Sequence, residues 1–196
     1  MTATTPASST TRAGAAERTR ARILAVARDR FVDLPYDEVR LAEVAATAGV
    51  TQQTLLNHFT SKEGLLVALV DQLRPEVEAL RGPVPPGDVV AAVRGIVRQY
   101  EALGDANVRM QAAAERIPAL AEGVRRARAL HTAWLESTFA GQLPAGARAR
   151  RRAVAALYAA TDVGTWKLLR RDLGHSRTET TAVLTSLVRA ALAPTS

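Results

Sequence analysis

Cysteine is absent from the 196 residues, which excludes disulfides, thiol nucleophiles and thiolate metal sites. Lysine is nearly absent: only Lys62 and Lys167 occur among 26 basic residues, a skew that, beside so much alanine, points to a GC-rich genome rather than to an activity. No apolar run approaches the ~18 residues of a membrane span. The Ser/Thr/Ala-rich start lacks the apolar core of a secretory signal, so a cytoplasmic protein without membrane attachment is expected. There is no strand-like alternation, no Gly-rich phosphate loop, no nucleophile elbow and no metal-type His/carboxylate cluster. The three histidines, His58, His131 and His175, are scattered. Catalytic residues, cofactors and metals are therefore not expected. Asp37-Glu38 is the one carboxylate pair of note, and in a connector it reads as solvation.

One further absence is local. No Asp or Glu occurs between Glu43 and Glu63, whereas Thr51, Gln52, Gln53, Thr54, Asn57 and His58 all fall inside that gap. A surface that meets phosphates must avoid carboxylates, and amides and hydroxyls read base edges. The same stretch has helix punctuation. Leu41, Val44 and Ala45 share a helical face, Gly49 suits the left-handed stop of that helix, and Thr51 suits the N-cap of a second helix from Gln52 to about Phe59. Thr60 and Glu63 form a T-x-x-E box opening a third. Helix, glycine turn and helix is the layout of a helix-turn-helix. A polar core helix in an enzyme, or a plain helical hairpin, is the alternative.

What surrounds this stretch also reads helical. Residues 1–15 are low-complexity and expected to be a disordered arm. A first helix runs from about Ala16 to Val32 on Ile23, Leu24, Ala27 and Phe31. The third helix of the bundle carries Leu65, Leu66, Leu69, Val70 and Leu73, and Pro75 should kink it or end it early. The stretch 82–87, Gly-Pro-Val-Pro-Pro-Gly, reads as a linker. Beyond it come a helix through Val89 and Tyr100, a short one from Asp105 to Arg116, and a longer one carrying Leu120 to Thr138. Another holds Val154, Tyr158, Asp162 and Trp166, and a last one, opened by a Ser176/Glu179 capping box, holds Leu184, Leu187, Val188 and Ala191. The expectation is an all-α chain of about nine helices. The 1–82 half is electrically neutral, with ten basic and ten acidic residues, and the excess positive charge lies in 83–196. Support for DNA binding is therefore local: the acid-free gap, together with Arg12, Arg18, Arg20 and Arg22.

From about Glu17 to Val77 the chain resembles the DNA-binding domain of the TetR (tetracycline repressor) family. The resemblance rests on Arg20-Ala21-Arg22-Ile23-Leu24, Phe31, Tyr36, Val44-Ala45, Ala48-Gly49-Val50-Thr51, Thr54-Leu55, His58-Phe59 and Ser61-Lys62-Glu63, in order and without gaps. It implies a homodimer whose paired recognition helices enter successive major grooves of a palindromic double-stranded operator. Gln52 and Gln53 would read bases beside Asn57, Leu56 would meet a thymine methyl, and Thr51, Thr54, His58 and Lys62 would hold phosphates. Leu56 stands where the family has tyrosine, Gln53 where it has a small residue, and Val39-Arg40 where it has a hydroxyl pair. Arg40 is then a candidate phosphate contact.

The resemblance also implies division into a DNA-binding domain over 16–81 and an effector-binding and dimerisation domain over 88–196. A small-molecule effector would release a repressor from its operator. Tyr100, His131, Trp134, Tyr158 and Trp166 either are core aromatics or border the effector cavity. Asp162, read as mid-helix, meets a cation or an arginine. The competing reading is an all-α ligand-binding or enzymatic protein of the same fold that no longer binds DNA.

Overall fold

The computed structural model of the chain describes residues 7–193, with side chains from residue 13 onward. Among these residues it is all-α, as expected. The helices are α1 (Ala7–Asp33), α2 (Leu41–Thr47), α3 (Gln52–Phe59), α4 (Lys62–Arg81), α5 (Val89–Ala114), α6 (Pro118–Thr138), α7 (Ala147–Thr161), α8 (Val163–Lys167) and α9 (Arg177–Leu192), with a 3-10 turn at Tyr36–Glu38 and a π-helical turn at Leu168–Asp172. The chain forms two compact units, Met1–Gln72 and Leu73–Ser196, so the division falls inside α4, ahead of the non-helical stretch 82–87. Helix α1 begins at Ala7, earlier than the expected Ala16. The composition that reads as an arm is also rich in alanine, the best helix former. Residues 1–6 of that arm, and the side chain of Arg12, lie outside the described residues.

The first unit is built on the stripe of α1, whose Ile23 and Ala27 are fully buried beside nearly buried Leu24. Helix α2 turns Val44 and Ala45 inward, and α3 turns Leu55 and Phe59 inward, all buried. The turn between these helices follows from its glycine. Gly49 has φ +66°, and Val50 N donates to Ala45 O at 3.0 Å while Gly49 N donates to Ala46 O at 3.0 Å. This is a Schellman stop, which glycine makes without steric penalty. Thr51 then caps α3, its hydroxyl accepting from Thr54 N at 3.1 Å.

Two expectations about α4 need correction. Ser61, not Thr60, accepts the first-turn N–H, from Gly64 at 3.0 Å. Thr60 is spent on ending α3, at φ +65°. Glu63 is spent on Tyr36, whose hydroxyl it accepts at 2.5 Å. Of the two outcomes expected at Pro75, a kink or an early end, the early end does not occur, and α4 continues to Arg81.

In the second unit α5 is a single helix where two were expected. Gly104 does not break it, because the backbone stays helical and the missing side chain leaves room for Trp166. A Cβ there would lie 2.4 Å from the indole ring. The helix expected to run through Asp162 is interrupted there instead. Asp162 is extended, with ψ 148°, and its carboxylate accepts from Gly164 N at 2.8 Å to cap α8. It is therefore a helix cap, not a mid-helix residue. The π-helical turn brings the consecutive Arg170 and Arg171 to one side of α5. Arg170 forms a two-pronged pair with Glu101 at 2.7 and 2.9 Å, and Arg171 reaches Asp105, one turn along, at 2.9 Å. Helices α7 and α9 pack together, with Leu157, Leu184 and Val188 in one apolar cluster. The Ser176/Glu179 capping box opens α9 as expected, each side chain bonding the other's backbone N–H.

Candidate functional site

With Leu55 and Phe59 inward, the opposite face of α3 presents Gln52, Gln53 and Asn57 to solvent, and Thr51 is exposed just ahead of them. Thr54, Leu56 and His58 are half-buried on its flanks. Gln53 Nε2 donates to Asn57 Oδ1 at 3.0 Å, one turn apart. That bond leaves Gln53 Oε1 as an acceptor and the Asn57 amide as a donor, the complement of an adenine edge. The hydroxyls of Thr51 and Thr54 lie 2.9 Å apart at the helix start. No carboxylate is on this face, and the two that bracket it are engaged elsewhere. Glu43 pairs with Arg40 at 3.8 Å, and Glu63 accepts from Tyr36. Hydrogen bonding from Tyr36 holds the Glu63 carboxyl below its usual range, while burial, then that bond, pushes the Tyr36 hydroxyl up.

The scaffold beneath α3 uses two of the arginines that give this stretch its local positive charge. Arg22 Nε donates to Ala48 O at 2.8 Å, satisfying a carbonyl at the end of α2, and the Arg20 guanidinium lies 5.1 Å from the centre of the Phe59 ring. Both arginines therefore hold the turn and the end of α3 in place. Lys62 begins α4 with its Nζ 4.3 Å from the Tyr36 ring centre, and burial lowers its pKa. Arg40 is largely exposed at the N-cap of α2.

In the second unit the expected pocket residues divide into two groups. His131, Trp134 and Tyr158 come together: the His131 ring stacks on Trp134 at 5.7 Å and meets Tyr158 edge-on at 5.2 Å. Tyr100 and Trp166 form a second, buried pair at 5.9 Å, with Tyr100 donating to Thr161 O and Trp166 Nε1 donating to Glu101. Asp162 caps α8. An open depression between α6 and α7, about 520 Å³, is lined by Thr132, Glu136, Arg150, Arg151, Val154, Ala155 and Tyr158, so Tyr158 is the expected residue that borders it. Among the described residues no group of three His, Cys, Asp or Glu is placed to hold a metal ion.

The residue that sequence reasoning missed is Arg81. Its Nε donates to Gln99 Oε1 at 2.6 Å, Nη2 lies 3.1 Å from His131 Nδ1, and its guanidinium sits 4.7 Å from the Trp134 ring centre. Because arginine only donates, His131 Nδ1 must accept. The ring proton is then on Nε2, donated to Thr161 Oγ1 at 2.9 Å, and Thr161 donates onward to Leu157 O at 2.8 Å. Burial, then the Arg81 charge, pushes His131 down to about 3, so the ring is neutral at physiological pH. No spacing rule joins Arg81 to His131 across 50 positions. A basic residue ending a helix reads as an ordinary dipole partner.

The comparisons with known proteins agree with this geometry. The family model of bacterial regulatory proteins, tetR family, matches residues 23–69. No curated protein matches the chain. A solved structure from Rhodococcus sp., assigned to the TetR family of transcriptional regulators, has a TM-score of 0.70 at 18% identity, covering 90% of this chain and all of its own. One from Mesorhizobium loti, with the same assignment, has a TM-score of 0.63 at 20% identity, over 90% and 96%. A transcriptional regulator from Rhodococcus sp. Rha1 has a TM-score of 0.66 at 21% identity, over 90% and 95%. At these identities the structural likenesses speak for the fold, and the family model speaks for the helix-turn-helix itself. Residues 23–69, which hold this helix-turn-helix, match the family model of bacterial regulatory proteins, tetR family, and the described helices share the fold of those solved structures.

Proposed function

We propose that the protein is a homodimeric transcriptional repressor that binds a palindromic operator and leaves it when a small-molecule effector occupies residues 88–196, with 16–81 as the DNA-binding part and 82–87 as linker. The observation that carries this reading is the outward face of α3. Gln52, Gln53 and Asn57 are exposed on a helix whose other face is locked by Leu55 and Phe59, with no carboxylate on the presented side. Gln52 and the Gln53–Asn57 pair read base edges, Leu56 meets a thymine methyl, and Thr51, Thr54, His58, Lys62 and Arg40 contact phosphates. The effector region includes Tyr100, His131, Trp134, Tyr158, Asp162 and Trp166. An effector shifts the protein toward the non-binding form by as much as it prefers that form. The half-exposed Leu187 on α9 supports pairing of two copies through the carboxy-terminal helices.

Fluorescence anisotropy with the intergenic DNA flanking the gene, at two salt concentrations, tests this. Salt-sensitive binding that survives competitor DNA is expected, and Gln52→Ala should weaken it by about 1–3 kcal/mol, the worth of a good base contact. Binding no tighter than to random DNA, and unchanged in Gln52→Ala, would defeat the proposal and favour a helical ligand-binding protein with a relic helix-turn-helix.

A further inference from the structure

We propose that Arg81, which the compact unit Leu73–Ser196 includes although it precedes residue 88, anchors the charged end of the effector, and that the effector is a small organic carboxylate; this rests on the reading of that unit as the effector-binding part. Arg81 ends α4 with its guanidinium partly withdrawn from water, and each group in direct contact with it is neutral: the Gln99 amide oxygen, the His131 ring nitrogen and the Trp134 ring. The Glu78 carboxylate, paired with Arg74, acts on it from farther off. Among the described residues no carboxylate lies within ion-pair distance of it. Its neighbours in the same unit are treated differently. Arg170, itself partly withdrawn from water, has Glu101, and the more exposed Arg171 has Asp105. Withdrawing a charge from water without a counter-charge is unfavourable, and amide, imidazole and ring-face contacts recover only part of that loss.

The partners cannot supply the missing charge. His131 accepts at Nδ1, so it is neither an anion nor free to become one, and its remaining proton is committed to Thr161. Gln99 is buried and uncharged. Nη1 has no protein partner among the described residues, so one edge of the planar guanidinium remains unspent. A planar fork with an unspent edge matches the two oxygens of a carboxylate. The half-buried rings of Trp134 and Tyr158 around it favour an apolar body on the same molecule.

Calorimetric titration of the full chain with benzoate, hexanoate, benzamide and inorganic phosphate tests the assignment. Benzoate or hexanoate should bind, whereas benzamide, flat but uncharged, and phosphate, charged but without an apolar body, should not. The informative variant is Gln99→Glu, which sets a carboxylate on Arg81 Nε from within and leaves the fold intact. It should raise the melting temperature of the ligand-free protein and weaken carboxylate binding by at least about tenfold, as should Arg81→Gln. Three results would overturn the anchor: neither carboxylate binding at about 10 mM, binding that survives both variants, or phosphate binding as well as the carboxylates. DNA anisotropy in the same samples separates the anchor from the reading beneath it. Carboxylate binding through Arg81 that leaves DNA affinity unchanged keeps the anchor and overturns the effector role. Release from DNA by neutral compounds alone keeps the effector role and overturns the anchor.

Discussion

His131 is buried as a neutral ring between Arg81 and Thr161, and that placement has a consequence in acid. Its folded-state pKa, about 3, lies below the ordinary 6.5, so the unfolded chain takes up the proton more readily. The stabilisation is therefore complete above about pH 6.5 and is lost as pH falls toward 3, by on the order of a few kcal/mol. His131→Gln keeps an acceptor for Arg81 and a donor for Thr161 without the titration. Urea denaturation at pH 7 and pH 4.5 should show a smaller loss in the variant, and equal losses would remove His131 as the cause. Thr180 presents the reverse case: fully buried in α9, its hydroxyl has no hydrogen-bond partner among the described residues. Thr180→Val keeps the shape and removes the orphan group, so it should stabilise by about 1 kcal/mol, readable as a rise in melting temperature. The sequence singles out His131 but not its partner Arg81, and it does not single out Thr180, since burial and partner are set by segments far away in the chain.

At the scale of elements, helix ends carry most of the local information. The Gly49 stop, the Thr51 cap and the Ser176/Glu179 box stand where the sequence patterns place them, because each is a hydrogen bond between residues at most five apart. A Cβ at Gly49 would meet nothing within 4 Å, so Gly49→Ala isolates the backbone cost of φ +66°. The variant should lose about 1–2 kcal/mol in chemical denaturation, with DNA affinity falling only as far as the folded fraction does. A loss near zero would mean that the turn relaxes. The misplaced breaks share one cause. Gly104 and Pro75 are breakers by propensity, but a helix absorbs either one when its surroundings favour continuation. Conversely, the Asp162 break comes without Gly or Pro, from a carboxylate that prefers to cap α8. The Thr60 assignment failed because its neighbour Ser61 was free to cap and Thr60 was needed to end α3.

For the whole molecule, the question is what meets the outer face of α9. Leu187 is 42% exposed there, while Leu184 and Val188 of the same helix face the core. If two copies pair through this face, Leu187→Glu places a charge at its centre. Sedimentation velocity should then report a shift from dimer to monomer, with the helical content of the monomer retained. An unchanged dimer would place the interface elsewhere. The same variant should weaken operator binding, since a monomer presents one recognition helix where a palindrome requires two.

The sequence by itself determined the helical class, the helix-turn-helix from Leu41 to Phe59 and the amide face of α3. Amphipathic period, capping and the avoidance of like charge all act over a few residues, so they can be read in one dimension. Only the tertiary structure decided the rest. It converted Arg20 and Arg22 from loose charge into supports, merged two expected helices into α5 around Trp166, and brought Arg81 to His131. These outcomes depend on which distant segments meet, and that is chosen by how the apolar faces of all the helices bury together rather than by any local preference.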